Sequence, residues 1–166
     1  MLRNILVRIV VLSVLLLGTS CAPSGPAIMV DVSASSARVN DVVTIPIQVE
    51  NIADLTAVEV HLSFDPSVLE VVQLNDGGFV QVDFAVQNTF DNTAGTIDYA
   101  VAQINRPPAK GSGVLFEIVF RAKAAGESSV SFHETPAVPA GALLSDSKGV
   151  AIQVSLTGGN VSVSQP

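Results

Sequence analysis

The chain has 166 residues, enough for one domain, with 8 Lys and Arg against 15 Asp and Glu and a net charge of −7. That acidic balance argues against nucleic-acid binding, which needs a basic surface, and against peripheral docking onto anionic lipid. A single cysteine, Cys21, leaves no disulfide available.

The chain opens with Arg3 and Arg8, an apolar run from Ile9 to Leu17, and small residues Gly18-Thr19-Ser20 ahead of Cys21. This is the layout of a secretory leader. The run is too short for a transmembrane helix, which needs roughly 20 apolar residues. Cys21 sits where cleavage is expected, so the segment resembles a bacterial lipoprotein lipobox, with Gly18 where Leu is usual. The resemblance implies lipidation of Cys21, export across the cytoplasmic membrane and anchoring to the envelope with the domain facing outside. An ordinary signal peptide with an incidental cysteine is the alternative. Residues 1–20 are then a leader, 21–27 a tether containing Ala22-Pro23-Ser24-Gly25-Pro26, and 28–164 the domain. Removing Arg3 and Arg8 leaves six basic residues against 15 acidic ones, a charge of −9.

Within the domain, Ile28 to Ser33 reads as a first strand and Val39-Asn40-Asp41 as a turn. Val43, Ile45, Ile47 and Val49 alternate with Thr44, Pro46, Gln48 and Glu50. That is a strand with period two, and Pro46 predicts an edge or a bulge. Val58, Val60, Leu62 and Phe64 alternate with Glu59, His61 and Ser63, then meet Asp65-Pro66-Ser67, which reads as a strand end and a tight turn; an Asp ahead of a Pro can also cap a single helical turn. Leu69 to Leu74 reads as a second, more buried strand. Asp76-Gly77-Gly78 is a turn. Val82, Phe84 and Val86 are expected to face inward on the next strand, and Asp91 to Gly95 turns back into Ile97, Tyr99 and Val101. After the irregular Asn105–Gly113 loop, Val114, Phe116, Ile118 and Phe120 form a clean strand. Val130 and Phe132 follow, then a Pro-rich stretch from Glu134 to Gly141. A turn spans Ser145 to Gly149, and Ile152, Val154, Val161 and Val163 close the pattern. About nine short strands with no convincing helix predict an all-β sandwich or jelly roll.

These residues resemble the cohesin domain family from Ile28 to Val163. The marks are Asn40-Asp41-Val42-Val43-Thr44-Ile45-Pro46-Ile47, Leu62-Ser63-Phe64-Asp65-Pro66-Ser67-Val68-Leu69-Glu70-Val71 and Gly95-Thr96-Ile97. Gly111-Ser112-Gly113-Val114-Leu115-Phe116-Glu117-Ile118-Val119-Phe120, Asp146-Ser147-Lys148-Gly149 and Gly158-Gly159-Asn160-Val161-Ser162-Val163 complete the order. The resemblance implies a nine-stranded jelly-roll β-sandwich, similar to one class of carbohydrate-binding modules. It also implies a dockerin-like protein partner, with cellulosome-type scaffolding of polysaccharide-degrading enzymes. The contact face would lie on the third, fifth, sixth and eighth strands. It would carry Glu59, His61 and Ser63, then Asp83, Ala85 and Gln87, then Asp98, Ala100 and Gln103, then Ser129, Ser131 and His133. Ala57 and Gln103 depart from the polar residue and the acid common at those positions.

No catalytic or cofactor site is legible. His133-Glu134 lacks the second His of a zinc-protease helix, and no Gly-x-Ser-x-Gly elbow or phosphate loop occurs. His61 and His133 read as surface residues on strands. Asp65, Asp76 and Asp146 read as turn residues satisfied by their own backbone, and no metal ligand set is apparent. Three non-enzymatic readings stay open: protein binding, carbohydrate binding and a structural envelope domain. With no Trp and only Tyr99, on a core phase, a flat aromatic platform for sugar is hard to build.

Overall fold

The computed structural model describes residues 25–33 and 36–166. The leader, Cys21 and the start of the tether lie outside the described residues. Thirteen strands and no helix occur among the described residues: β1 (Ala27–Val30), β2 (Ser36–Arg38), β3 (Val42–Leu55), β4 (Ala57–Ser63), β5 (Leu69–Asp76), β6 (Phe84–Asp91), β7 (Thr96–Ala102), β8 (Ala109–Ala122), β9 (Gly126–Phe132), β10 (Ala142–Ser145), β11 (Ala151–Ile152), β12 (Ser155–Thr157) and β13 (Gly159–Ser164). One sheet runs β12-β1-β3-β8-β5. In the other, β4 pairs with β7 on one side, and β6 lies beyond β7 as the edge. On its other side β4 pairs with β10 and β9, which lead to β11 and to β13-β2.

The count exceeds nine because long strands are interrupted. Phe132 pairs with Leu62 and Ala142 with Val60, so β9 and β10 lie end to end along β4. Only His61 falls between them; its N–H donates to Gly141 O and its carbonyl accepts from His133 N. Residues 133–141, the Pro-rich stretch, therefore leave the sheet and return. The last strand is split too: β12 pairs with β1 in one sheet and β13 with β9 in the other.

Alternation sets the core. Ile45, Ile47 and Val49 on β3, Val58, Val60 and Leu62 on β4, and Phe116, Ile118 and Phe120 on β8 are buried between the sheets. Phe64 meets Phe120 edge-on at 5.3 Å, and Tyr99 stacks on Phe116 at 4.2 Å. Burial pushes the Tyr99 hydroxyl up. The corner works as its residues suggest: Asp65 Oδ1 accepts from Ser67 N and Oγ, and Val68 N and Leu69 N donate to Asp65 O. Asp76 and Asp146 likewise accept from the backbone of their own turns.

Pairing corrects three expectations. Pro46 is not on an edge strand, since β3 lies between β1 and β8. Its carbonyl accepts from Asp31 N, just past the end of β1. A residue's N–H and C=O point to the same side of a strand in an antiparallel ladder, so its missing donor falls where β1 has ended. The bulge lies next to it, where Ile47 and Gln48 pair with Phe116 and Val114 and leave Leu115 extra. Leu115 is buried beside Phe116 as a result. The strand β5 is not the more buried one, because a register shift between Val71 and Gln73 turns Val72 to solvent. Val82, Phe84 and Val86 are not core. Val82 precedes β6, Phe84 pairs with Ala102 on the outer phase, and Val86 is the extra residue of a bulge between Ala85 and Gln87.

Candidate docking face

The outer side of β10, β4, β7 and β6 is a flat lattice whose rows follow from register. Ser145, Ala57, Ala102 and Phe84 form the first row, and Leu143, Glu59, Ala100 and Gln87 the second. His61, Asp98 and Thr89 form the third, and Ser131, Ser63, Thr96 and Asp91 the fourth. Small residues in the first two rows leave a depression of about 220 Å³ over Ala57, Ala100 and Ala102, walled by Val86, Gln87 and Leu143.

Beside it, His61 is buried between two carboxylates. In the protonated ring Nδ1–H donates to Asp98 Oδ1 (2.6 Å) and Nε2–H to Glu59 Oε1 (3.0 Å). Burial opposes the charge, but the hydrogen bonds to Asp98 and Glu59 outweigh it, and the His61 pKa stands above its ordinary 6.5. The trio is spent on internal bonds, and no three metal-ligating side chains are set to hold an ion among the described residues. A raised pKa makes these bonds stabilise the fold fully below about pH 6.5 and lose that contribution as pH rises through the folded value. The midpoint difference between wild type and His61→Gln in urea should therefore be largest near pH 5.5 and shrink by pH 8.5. A difference that grows with pH would contradict the geometry.

The other expected face residues divide. Gln87, Asp98, Ala100, Ser63 and Ser131 join Glu59 and His61, with Ser63 Oγ and Ser131 Oγ 3.2 Å apart. Ser129 is exposed one step further along β9, opposite Asn160. Ala85 pairs with Val101, whose side chain is core, so the bulge puts it on the other phase. Asp83 lies ahead of β6 and is engaged: Arg106 Nε and Nη2 each donate to it at 2.7 Å and Ile104 N at 2.9 Å. Those bonds pull its carboxyl down to about 2. Gln103 is not on the face. It is buried, its Nε2 donates to Pro107 O, and its Oε1 accepts from Gln81 N. Both side chains fasten the 103–107 loop to the start of β6. His133 lies where β9 gives way to the 133–141 excursion.

Residues not anticipated for the face are Leu143, Phe84, Val86, Ala102 and Thr89, with Ser145, Thr96 and Asp91 in its outer rows. The Leu143-Leu144 doublet carried a signal: Leu144 is fully buried and Leu143 is 40% exposed, as alternation along a strand requires.

A cohesin domain family model matches residues 28–158. Over 136 residues the chain is 26% identical to Cell surface glycoprotein 1 of Acetivibrio thermocellus, covering 68% of this chain and 6% of that protein. Among solved structures, the cohesin of the Coh-OlpA-Doc918 complex from Clostridium thermocellum aligns with a TM-score of 0.70 at 16% identity, over 85% of this chain and 100% of that one. A type II cohesin domain from the cellulosome of Acetivibrio cellulolyticus gives 0.68 at 24%, over 86% and 94%. A non-cellulosomal cohesin from the archaeon Archaeoglobus fulgidus gives 0.66 at 18%, over 85% and 92%.

Proposed function

This chain belongs to the cohesin domain family, and from that premise we propose that it is a non-catalytic module that docks a protein through its β10-β4-β7-β6 face. The partner is a dockerin-like module, as in the cohesin–dockerin complexes that its structural neighbours form. One observation carries the reading beyond family membership. Two large exposed apolar side chains, Val86 and Leu143, wall one shallow depression that Glu59 also lines, and exposed Phe84 lies opposite Ala102 in the same row. Contiguous exposed apolar surface rimmed by polar groups marks a site of protein contact. The face lacks the deep cavity that a small molecule would need.

Charge reversal by Glu59→Lys together with Ala100→Arg should weaken dockerin binding by at least about 1.4 kcal/mol, a factor of ten; because Glu59 accepts from His61 and Ala100 is buried, the melting temperature falls as well, and binding is compared below it, with circular dichroism showing the variant folded. Calorimetry against a dockerin panel at two salt concentrations measures this. Exposed Phe84 supports a second reading, a carbohydrate platform. Retention on cellulose or chitin that survives both substitutions, with no dockerin bound, would favour that reading and reject ours.

The module works outside the cytoplasmic membrane, held at the envelope by a lipid on Cys21. Two or three acyl chains anchor stably where one does not. Incorporation of a fatty-acid analogue should be lost in Cys21→Ala; label that persists would remove the anchor from this proposal.

A further inference from the structure

Among the described residues, every sheet edge but one is short or closed. β12 and β2 have three residues each and β11 has two. β5 is longer, but Asn92 shuts its side: Asn92 Oδ1 accepts from Val71 N at 2.8 Å, and Nδ2 donates to Val71 O at 2.9 Å. A bulge at Val72 then breaks its line. Such devices keep an edge from pairing with another chain. The exception is β6. Phe84 to Phe90 is a run without charge, Pro or Gly, and the bulge between Ala85 and Gln87 interrupts only its first half. β6 also stands clear of the opposing sheet. Phe90 pairs with fully buried Ile97, yet it is 40% exposed. The inward phase of this edge is therefore open as well as the outward one.

Backbone direction fixes which groups are free. Gly95 N donates to Asp91 O, across the turn to β7. In an antiparallel ladder the N–H and C=O of one residue share a side, and the side alternates along the strand. Thr89 and Gln87 therefore also bond β7, while Asn88 and Phe90 direct their groups outward. We propose that β6 pairs with β6 of a second copy of this chain, antiparallel, about a two-fold axis at Thr89. Asn88 of each copy then exchanges both backbone hydrogen bonds with Phe90 of the other. The strand complements itself in this register. Asp91, the one charge on β6, falls opposite the Gln87 amide of the second copy, so no like charges meet. Thr89 meets Thr89. The two Phe90 rings become diagonal neighbours, about 7–8 Å apart and within reach of each other, which covers the ring surface that the opposing sheet leaves open. The axis stands perpendicular to the sheet, so the docking faces of both copies point the same way and stay uncovered. Pairing and docking are thus independent. The acidic net charge of each copy opposes pairing, so added salt should strengthen it.

Cross-linking tests the register. A pair without hydrogen bonds between its own backbones has Cα atoms about 4.5 Å apart, inside the roughly 4.4–6.8 Å that a disulfide spans. Thr89 is such a position and is exposed, so Thr89→Cys in the full chain, in detergent, should oxidise to a disulfide dimer. Gln87→Cys would lie about 14 Å along the strand from its own copy and should cross-link at least about tenfold more slowly. Wild type reports any contribution of Cys21. Asn88→Pro removes an outward N–H and no bond to β7. Added to Thr89→Cys, it should suppress the dimer in a protein that circular dichroism shows folded. Light scattering on wild type at rising concentration needs no cysteine and should show twice the monomer mass, with Asn88→Pro remaining monomeric. Thr89→Cys that cross-links no faster than Gln87→Cys, or equally well with Asn88→Pro, overturns the pairing. Wild type that stays monomeric at every concentration leaves the edge to a different strand and overturns it as well; dockerin binding is untouched by either result.

Discussion

Phe120→Ala should lower the free energy of unfolding by about 3–5 kcal/mol, a large share of the roughly 5–15 kcal/mol typical of a domain. Phe120 is fully buried and lies between Val43 on β3 and Val71 on β5, with Phe64 of the opposing sheet edge-on to its ring. Three strands and both sheets line the space that its ring fills, so collapse around a methyl group would require each to move. Glu117→Ala, on the outward phase of the same strand, should change stability by no more than about 0.5 kcal/mol. Urea midpoints of the two variants measure the contrast. Equal midpoints would mean that β8 does not present Phe120 to the core.

Gly95→Ala should cost about 2–5 kcal/mol, combining the left-handed backbone penalty with overpacking. Gly95 closes the β6–β7 turn at φ 73°, its N–H donating to Asp91 O and its carbonyl accepting from Phe64 N. A methyl group there would fall on the Phe64 carbonyl oxygen and on the Pro66 ring. The turn is thus wedged against the corner that ends β4. Gly78 has a similar φ of 78° but open space around it, so Gly78→Ala should cost only the conformational part, about 1–2 kcal/mol. Thermal melts of the pair separate close approach from backbone conformation; an equal loss in both would leave no role for the Gly95–Phe64 contact.

The lessons of the two substitutions differ. Phe120 can be assigned to the core from its neighbours in sequence, because Phe116, Ile118 and Phe120 keep one phase. The wedge at Gly95 cannot, because Phe64 is 31 positions away and meets it only through the pairing of β4 with β7. Similar reasoning separates the residues of the candidate face. Glu59, His61 and Ser63 share an outward phase on a single strand and are readable together. Asp98 joins them by register, and it is Asp98 that, with Glu59, turns His61 from a surface residue into a buried one between carboxylates.

Sequence by itself determined the strand phases wherever one side of a strand is clearly apolar: β3, β4, β7, β8 and β13. It also determined the turns, since an Asp, Asn or Gly there satisfies or permits local backbone geometry regardless of distant contacts. The family marks lie in those same segments. Only the tertiary structure decided what the outer face contains. On β6 alternation puts Phe84, Val86 and Phe90 on one phase, but one extra residue at Val86 breaks that phase and moves Phe84 to the outside. On β9 and β10 the pairing with β4 continues across a nine-residue excursion that no local pattern bridges, and it brings Leu143 beside Glu59. Gln103 is out of step with Asp98 and Ala100, the strand ends before it, and its amide turns to hold the following loop. Period-two alternation divides one strand into two sides, but which side meets which neighbour is set by hydrogen-bond register between segments far apart in the chain.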